Sequence, residues 1–217
     1  MSNYIFDLTT ISALSNKPQQ AIVLCHGYGG NGQDISNLAI NWQRFLPDCI
    51  FLCPNAPEIC SINPNGFQWF SLESDNENLI LEKSLLAEKK LSLFLDQVLE
   101  TYNFTSSQLA LVGFSQGCMM VIQTALKKQK KINCLLGYSG KIINQKHLSE
   151  NIVSKPKILL MHGENDVIVP PTHLLESKEF LEKNNIKIKT KLFKNCEHNI
   201  SIDGVSVGLD FLKKNLL

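Results

Sequence analysis

A G-x-S-x-G motif in the middle of the chain can present a catalytic nucleophile. Residues 113–117 read GFSQG. They follow an apolar run at 109–112 that predicts a strand, and they open a helical pattern over 118–128. A strand-to-helix turn of this kind exposes the serine hydroxyl, and the glycines let the turn be tight. The alternative is a serine that only caps a helix between two turn glycines. We interpret Ser115 as the nucleophile because suitable partners follow it.

A serine hydroxyl needs a base to take its proton, and in this setting the partners follow in the chain order serine, acid, histidine. The five histidines are His26, His147, His162, His173 and His198. His26 and His162 each end a predicted strand just before a glycine, where packing is the default role. His198 lies in the loop after a predicted strand at 186–193. Order and position favour His198 as the base, against the alternative of an ordinary surface-loop histidine.

The acid should follow a strand between the serine and the histidine. The predicted strand at 157–161 is that strand, and the acidic residues Glu164 and Asp166 come soon after it. We choose Asp166, with Glu164 second, because a carboxylate there would fix the imidazole tautomer and stabilise the imidazolium. The alternative for Asp166 is an aspartate that forms a turn ahead of the Pro170-Pro171 helix start.

A glycine-rich loop, HGYGGNG at residues 26–32, follows the first predicted strand. Its glycines satisfy G-x-G-x-x-G, the dinucleotide fingerprint, which requires an acid at the end of the next strand. The next strand ends instead at Cys53-Pro54-Asn55, and the nearest acid, Asp48, precedes it. We therefore reject a dinucleotide site. The other interpretation is an oxyanion loop, in which a backbone N–H of the loop and that of Gln116 hold the developing negative charge.

Short apolar runs alternate with helical patterns along the chain, which predicts an α/β fold with a mostly parallel sheet covered on both faces. Strands are predicted at 21–25, 49–53, 109–112, 132–136, 157–161 and 186–193, and helices at 79–102, 118–128, 172–184 and 204–217. With 217 residues, we expect one domain over residues 1–217. The longest stretch without predicted structure, 54–78, is expected to be functional because long loops in compact domains often are.

Charge and composition exclude several classes of function. The net charge is +1, and Arg44 is the one arginine, so nucleic acid is not expected as a partner. No apolar run approaches the length of a membrane helix, and the N-terminal residues 1–7 lack the basic region of a signal peptide. The seven cysteines are an odd number without a C-x-x-C pair, which predicts reduced, buried thiols in a cytoplasmic protein and no zinc site.

Together these motifs resemble the phospholipase/carboxylesterase family of α/β-hydrolases, which includes the acyl-protein thioesterases. The resemblance covers nearly the whole chain. It rests on LCHGYG at 24–29, PNAP at 54–57, QWF at 68–70, GFSQG at 113–117, HG at 162–163 with Asp166, VP at 169–170, and HNIS at 198–201. No single piece is specific, but the ordered set is.

The resemblance implies a catalytic triad of Ser115, His198 and Asp166, with the amides of Tyr28 and Gln116 as oxyanion donors. It also implies a shallow groove for an acyl chain, neither a metal nor a cofactor, and a homodimer. Family members often carry leucine at the position of Tyr28 and an acid at that of Gly30. The Tyr28 amide can still donate, but its ring is expected to narrow the groove.

Two questions stay open at this stage. Trp69 and Phe70 either line the substrate groove or pack in the core, because aromatic side chains do both. The expected function is a cytoplasmic serine esterase that acts on an oxygen ester or thioester of a small molecule or an acylated protein. A small serine peptidase of related fold and a non-catalytic hydrolase-like binding module are the alternatives.

Overall fold

The computed structural model describes residues 4–217, so the first three residues of the segment considered as a signal peptide lie outside it. The strands are β1 (Leu8–Ile11), β2 (Gln20–Cys25), β3 (Cys49–Pro54), β4 (Glu58–Cys60), β5 (Asn63–Gln68), β6 (Leu109–Phe114), β7 (Cys134–Tyr138), β8 (Lys157–Gly163) and β9 (Ile188–Phe193). The helices are α1 (Gly32–Trp42), α2 (Glu77–Tyr102), α3 (Gln116–Lys127), α4 (Gln145–Asn151), α5 (Thr172–Lys183) and α6 (Ile202–Leu216).

Seven of these strands form one sheet in the order β1-β3-β2-β6-β7-β8-β9. β1 pairs antiparallel with β3, and the other neighbours are parallel. The carboxyl ends of the parallel strands therefore meet at one edge, where ligands bind in open α/β sheets. The predicted fold class, an α/β-hydrolase with a mostly parallel sheet and helices on both faces, is confirmed.

The apolar strands serve two separate cores. In β2, Val23 belongs to the core packed against α2, α3, α4 and α5, whereas Ile22 and Leu24 face the core under α1 and α6. Successive side chains of a strand point to opposite faces, so a continuous apolar run is what a sheet covered on both faces requires.

Two features differ from the sequence prediction. The segment 54–78 is not structureless, because β4 and β5 form an antiparallel hairpin within it. The elements β1, α1 and α4 were not predicted. The helix α1 starts at a capping box in which Asn31 and Asp34 each accept the other's backbone N–H, which satisfies two amides of the first turn.

Candidate active site

Ser115 occupies the sharp turn between β6 and α3. Its backbone has φ 53° and ψ −118°, a conformation that costs a non-glycine residue free energy and persists only where the surroundings enforce it. The Ser115 N–H donates to the Tyr138 carbonyl at 2.9 Å. A Cβ at Gly117 would collide with the Cys25 carbonyl, so the turn needs a glycine after the serine to pack against β2.

His198 and Asp166 come from two loops at the same edge of the sheet. His198 Nε2 lies 2.9 Å from Ser115 Oγ, and His198 Nδ1 lies 2.8 Å from Asp166 Oδ2. The imidazole also packs on Phe114, with ring centroids 5.0 Å apart. Glu164, the second choice for the acid, is exposed to solvent. The structure therefore brings together Ser115, His198 and Asp166 in a continuous hydrogen-bonded chain.

The Asp166 carboxylate is buried and held by several donors. Its Oδ1 accepts the N–H groups of Ile168 and Val169 at 3.0 and 2.8 Å. Its Oδ2 accepts from His198 and lies 3.3 Å from His162 Nε2. Burial acts to raise the pKa of the Asp166 carboxyl, but the hydrogen bonds from His198 and Val169 outweigh it and the pKa is lowered. Asp166 is therefore ionised when it faces the imidazole.

His162 lies beside this carboxylate, near the end of β8. Its side chain is buried, and its Nε2 lies 2.7 Å from the Val169 carbonyl. A carbonyl only accepts, so the Nε2 atom carries the proton. Burial lowers the pKa of His162 despite the opposing effects of the Val169 carbonyl and Asp166, which keeps the ring neutral. His162 thus ties together the loop that carries Asp166.

The glycine-rich loop after β2 is held by His26. Its Nδ1 lies 2.7 Å from the Gly27 carbonyl, and its Nε2 accepts the Ala56 N–H at 3.0 Å. These partners place the proton on Nδ1, because a carbonyl only accepts and an amide N–H only donates. Burial lowers the pKa of His26, consistent with a neutral ring. His26 is therefore a fixed donor to the loop in its neutral form.

The Gly27 carbonyl and the Tyr28 N–H belong to one peptide plane and point in opposite directions. The Gly27 carbonyl also accepts the Gly30 N–H at 3.1 Å, which closes a turn around Tyr28 and Gly29. Gly29 has φ 77°, as the third residue of a type II turn requires. The bonds that fix the Gly27 carbonyl therefore also fix the direction of the Tyr28 amide.

The β4–β5 hairpin clamps the outer side of the same loop. The Gly29 N–H donates to the Phe67 carbonyl at 2.9 Å, and the Phe67 N–H donates to the Gly30 carbonyl at 2.8 Å. The Tyr28 hydroxyl also lies 2.8 Å from the Ser61 hydroxyl. The segment that the sequence left without structure thus positions the predicted oxyanion donor.

Gln116 begins α3, so its own N–H is one of the amides that a helix leaves without an internal partner. Its side chain accepts the Trp69 N–H at 2.8 Å and donates to the Phe70 carbonyl at 2.7 Å. Gln116 thereby joins the segment after β5 to the turn that carries Ser115.

Both aromatic residues of this segment, Trp69 and Phe70, are buried in the same core, and they differ in whether they also line a cavity. Trp69 is fully buried in the core, and its indole N–H donates to the His26 carbonyl at 3.0 Å. Trp69, one of the two expected substrate-binding residues, is not among the residues that line the two cavities beside Ser115, and it packs in the core. Phe70 lines a cavity that also contains Ser115.

Two cavities flank the serine. The first, here named the nucleophile-side cavity, has a volume of about 380 Å³ and is walled mainly by apolar side chains. Its apolar wall includes Phe70, Met119 and Val169. The second, the α1-side cavity, has a volume of about 490 Å³ and lies along α1. Tyr28 and His198 line both cavities, so these two residues lie where the cavities adjoin.

Within residues 4–217, no group of three or more His, Cys, Asp or Glu side chains is arranged to hold a metal ion. Over the same residues, no helix is long and apolar enough to cross a membrane. Ser115, His198 and Asp166 are residue types that nucleophilic catalysis uses.

Residues 7–216 match the sequence model of the phospholipase/carboxylesterase family. The chain belongs to this family. It is a serine hydrolase, and curated esterases and acyl-protein thioesterases are among its relatives.

Three similar proteins illustrate the family's range. Esterase YpfH of Escherichia coli strain K12 is 24% identical over 206 residues, covering 91% of this chain and 84% of that protein. Acyl-protein thioesterase 1 of Schizosaccharomyces pombe is 28% identical over 193 residues, covering 83% and 84%. The crystal structure of esterase PE8 superposes with a TM-score of 0.93 and 32% identity, covering 97% of this chain and 99% of that one.

The sequence motifs do not predict the contacts of three side chains in the site, those of His26, His162 and Gln116. From the sequence, packing is the default role of both histidines, and only the backbone N–H of Gln116 has an expected role. The signal was present, since each histidine directly follows or ends a parallel strand at the edge where the site forms. Their hydrogen-bond partners lie far along the chain or depend on loop geometry, which motif spacing does not encode.

Proposed function

We propose that this protein is a serine esterase that hydrolyses oxygen esters or thioesters of acyl substrates, with Ser115 as nucleophile, His198 as base and Asp166 as the orienting acid. The observation that carries the proposal is the chain of hydrogen bonds from Asp166 through His198 to Ser115, at 2.8 and 2.9 Å. These distances lie within the range in which a base takes a proton from a nucleophile.

In the first half of the reaction, Ser115 Oγ attacks the carbonyl carbon while its proton passes to His198 Nε2. The ionised Asp166 accepts the His198 Nδ1–H and stabilises the imidazolium that forms. The carbonyl oxygen becomes an oxyanion, and the amides of Tyr28 and Gln116 donate to it. The intermediate then collapses, and His198 gives its proton to the departing alcohol or thiol.

In the second half, water attacks the acyl-enzyme. His198 takes a proton from that water, the same amides stabilise the second oxyanion, and Ser115 leaves with the proton from His198. The products are the free acid and the regenerated enzyme. The buried donors around Asp166 and Gly27 serve both halves, because both pass through the same charge distribution.

The nucleophile-side cavity supports an apolar acyl group as the substrate's acid part. It contains Ser115 and Gln116, and its walls include Phe70, Met119 and Val169. We propose Phe70 as a substrate-binding residue, since an acyl chain gains free energy from the area that such side chains remove from water.

The named relatives extend this proposal to two substrate classes. The similarity to acyl-protein thioesterase 1 of Schizosaccharomyces pombe supports thioesters of acylated proteins, and that to esterase YpfH supports esters. A series of p-nitrophenyl esters and matching thioesters of increasing acyl length would separate them by the ratio of kcat/KM.

We also propose a reducing compartment, the cytoplasm, as the place of action. All seven cysteines are buried and unpaired, as expected of thiols that serve as small apolar side chains.

The proposal is tested with p-nitrophenyl butyrate and a fluorophosphonate probe. The parent should hydrolyse the ester and take up the probe on Ser115, and Ser115→Ala should lose on the order of 10⁶-fold in kcat. Ser139→Ala is the matched control, because Ser139 is also buried at a strand end with a positive φ of 48°. It should keep parent activity. Undiminished turnover in Ser115→Ala would overturn the mechanism.

A further inference from the structure

The α1-side cavity has a different chemistry from the nucleophile-side cavity. Both are lined by Tyr28 and His198, but only the nucleophile-side cavity contains Ser115. An ester bound at Ser115 has two arms, the acyl group and the leaving alcohol or thiol. If the apolar nucleophile-side cavity takes the acyl arm, the α1-side cavity lies where the other arm extends past His198.

One face of α1 forms the rim of the α1-side cavity. Asp34, Asn37 and Asn41 line it, and their spacing of three and four residues places them on the same side of the helix. All three are exposed to solvent. Apolar side chains such as Ile35, Leu38 and Val205 form the wall beneath them. The cavity therefore combines an apolar wall with a polar edge.

The polar edge presents hydrogen-bond acceptors. The Asn37 side-chain amide donates to the Asp34 carbonyl at 3.0 Å, and that of Asn41 donates to the Asn37 carbonyl at 2.8 Å. Backbone carbonyls only accept, so these bonds assign the NH₂ groups to the helix and leave the side-chain oxygens as the outer atoms. Asp34 adds a carboxylate, which also only accepts when ionised.

The two cavities also differ in the net charge of the residues that line them, and this difference again favours a positive group in the α1-side cavity. Among the described residues that line the α1-side cavity, Asp34 is the single formal charge and no lysine or arginine balances it. The nucleophile-side cavity holds both Glu77 and Lys141, whose charges cancel. A positive group is therefore favoured in the α1-side cavity by its acceptors and by its net charge.

We propose that the α1-side cavity binds the leaving group of the substrate and prefers one that carries a positive charge. The inference rests on the proposed function, because it needs the acyl transfer at Ser115. It adds the chemical class of the departing alcohol or thiol: a cationic head such as an ammonium group on a short apolar stem. The stem meets the apolar wall, and the head meets Asp34, Asn37 and Asn41.

The test compares two butyrate esters with leaving groups of the same shape, choline and 3,3-dimethylbutanol, which differ by a quaternary nitrogen in place of a quaternary carbon. The measured quantity is the ratio of their kcat/KM values. Because the ammonium group also makes choline a better leaving group, this ratio is divided by the rate ratio of the two esters in alkali. We expect a normalised preference of about three- to fivefold for the choline ester at low salt, decreasing in 0.5 M NaCl.

Three variants locate the effect. Asp34→Asn should bring the ratio towards one, and it keeps an oxygen for the Asn31 N–H that caps α1. Asn37→Asp should raise the ratio by a similar factor. Glu150→Gln removes one negative charge from α4, lines neither cavity and should leave both activity and ratio at the parent values. Thermal melts of each variant check that the fold is retained.

The outcomes are separable. A ratio that does not change in Asp34→Asn and Asn37→Asp, or a normalised preference for the neutral ester, overturns the leaving-group inference while ester hydrolysis and labelling of Ser115 stand. Absence of ester hydrolysis and of labelling overturns the proposed function, and this inference falls with it.

Discussion

Two histidine–glycine pairs stand at the ends of parallel strands, His26-Gly27 after β2 and His162-Gly163 in β8. Both imidazoles are buried, and burial lowers the pKa of both. They support opposite sides of the reaction, however. His26 donates through Nδ1 to the loop that carries the proposed oxyanion donor, whereas His162 donates through Nε2 to the loop that carries Asp166.

The comparison teaches that one local arrangement can serve two parts of a site. The carboxyl ends of parallel strands meet at one edge, so a neutral histidine at either strand end reaches a catalytic loop. Which ring nitrogen donates depends on the position of the backbone carbonyl that accepts the hydrogen bond. At His26 the partner is the next residue, and at His162 it is Val169, seven residues later.

The largest effect should come from the acid that His162 supports. Asp166→Asn removes the charge that fixes the His198 tautomer, and kcat should fall by about 10⁴-fold. This loss sets the ceiling for any change at His162, because His162 acts only through the Asp166 loop. A loss at His162 larger than that of Asp166→Asn would contradict this part of the comparison. Steady-state kinetics with p-nitrophenyl butyrate measures kcat for the parent and for the variants at both positions.

Substitutions at His26 should come next. Glutamine keeps an acceptor near the Nε2 position but loses the donor to the Gly27 carbonyl, so the Tyr28 amide loses its orientation and kcat should fall by about 10²-fold with little change in KM. Asparagine places its NH₂ the same number of bonds from Cβ as Nδ1, so His26→Asn should retain about ten times more activity than His26→Gln. Equal losses in the two variants would argue against orientation through Nδ1.

At His162 the glutamine variant should be more active than the asparagine variant, and the loss in kcat should be smaller than at His26. His162→Gln places an NH₂ near the Nε2 position and should stay close to the parent. His162→Asn should lose about tenfold in kcat, since one hydrogen bond of about 1 to 1.5 kcal/mol is removed and tenfold corresponds to 1.36 kcal/mol. A higher kcat for the asparagine variant than for the glutamine variant at both positions would contradict the different roles of Nδ1 and Nε2 in the two pairs.

The smallest expected effect is on the free energy of unfolding as the pH is lowered. Both histidines have folded-state pKa values below 6.5, so the unfolded chain binds more protons between those values and 6.5. The free energy of unfolding should therefore be intact above pH 6.5 and fall as the pH is lowered, by at most about 1.4 kcal/mol per pH unit for each histidine.

Urea unfolding at pH 7, 6 and 5 measures this slope. The variants His26→Asn and His162→Gln should flatten it, each by one histidine's share. The lowered pKa of Asp166 acts in a separate window: its contribution is present above its ordinary value near 3.8 and is lost below it, so it does not add to the slope between pH 7 and 5. Slopes equal to the parent's would mean that neither ring titrates on unfolding.

Much of the site could be predicted because its proposed catalytic residues lie in short motifs beside strands. Ser115, Asp166 and His198 each follow or lie near a strand end, in the chain order that a parallel sheet brings to one edge. The strands themselves were predictable since sheets covered on both faces need continuous apolar runs. The α1 helix also had a readable signal, a capping box at Asn31 and Asp34 before the apolar series Ile35, Leu38, Ala39 and Trp42.

Other features had no local signal. The β4–β5 hairpin contains few of the β-branched residues that favour strands, and its role depends on bonds to a loop more than thirty residues earlier. Trp69 could belong to the groove or the core until the position of the His26 carbonyl was known. Whether such an aromatic side chain lies in the groove or in the core depends on its tertiary contacts.

By itself, the sequence determined the fold class, the family resemblance and the three residues that the proposed mechanism uses, because apolar periodicity and motif spacing are properties of neighbouring positions. Only the tertiary structure decided how the site is held. It gave His26 and His162 their partners and tautomers, assigned Trp69 to the core, and set an apolar cavity beside an acceptor-lined cavity where Tyr28 lines both. These features depend on contacts between segments far apart in the chain, and such contacts exist only once the sheet has assembled.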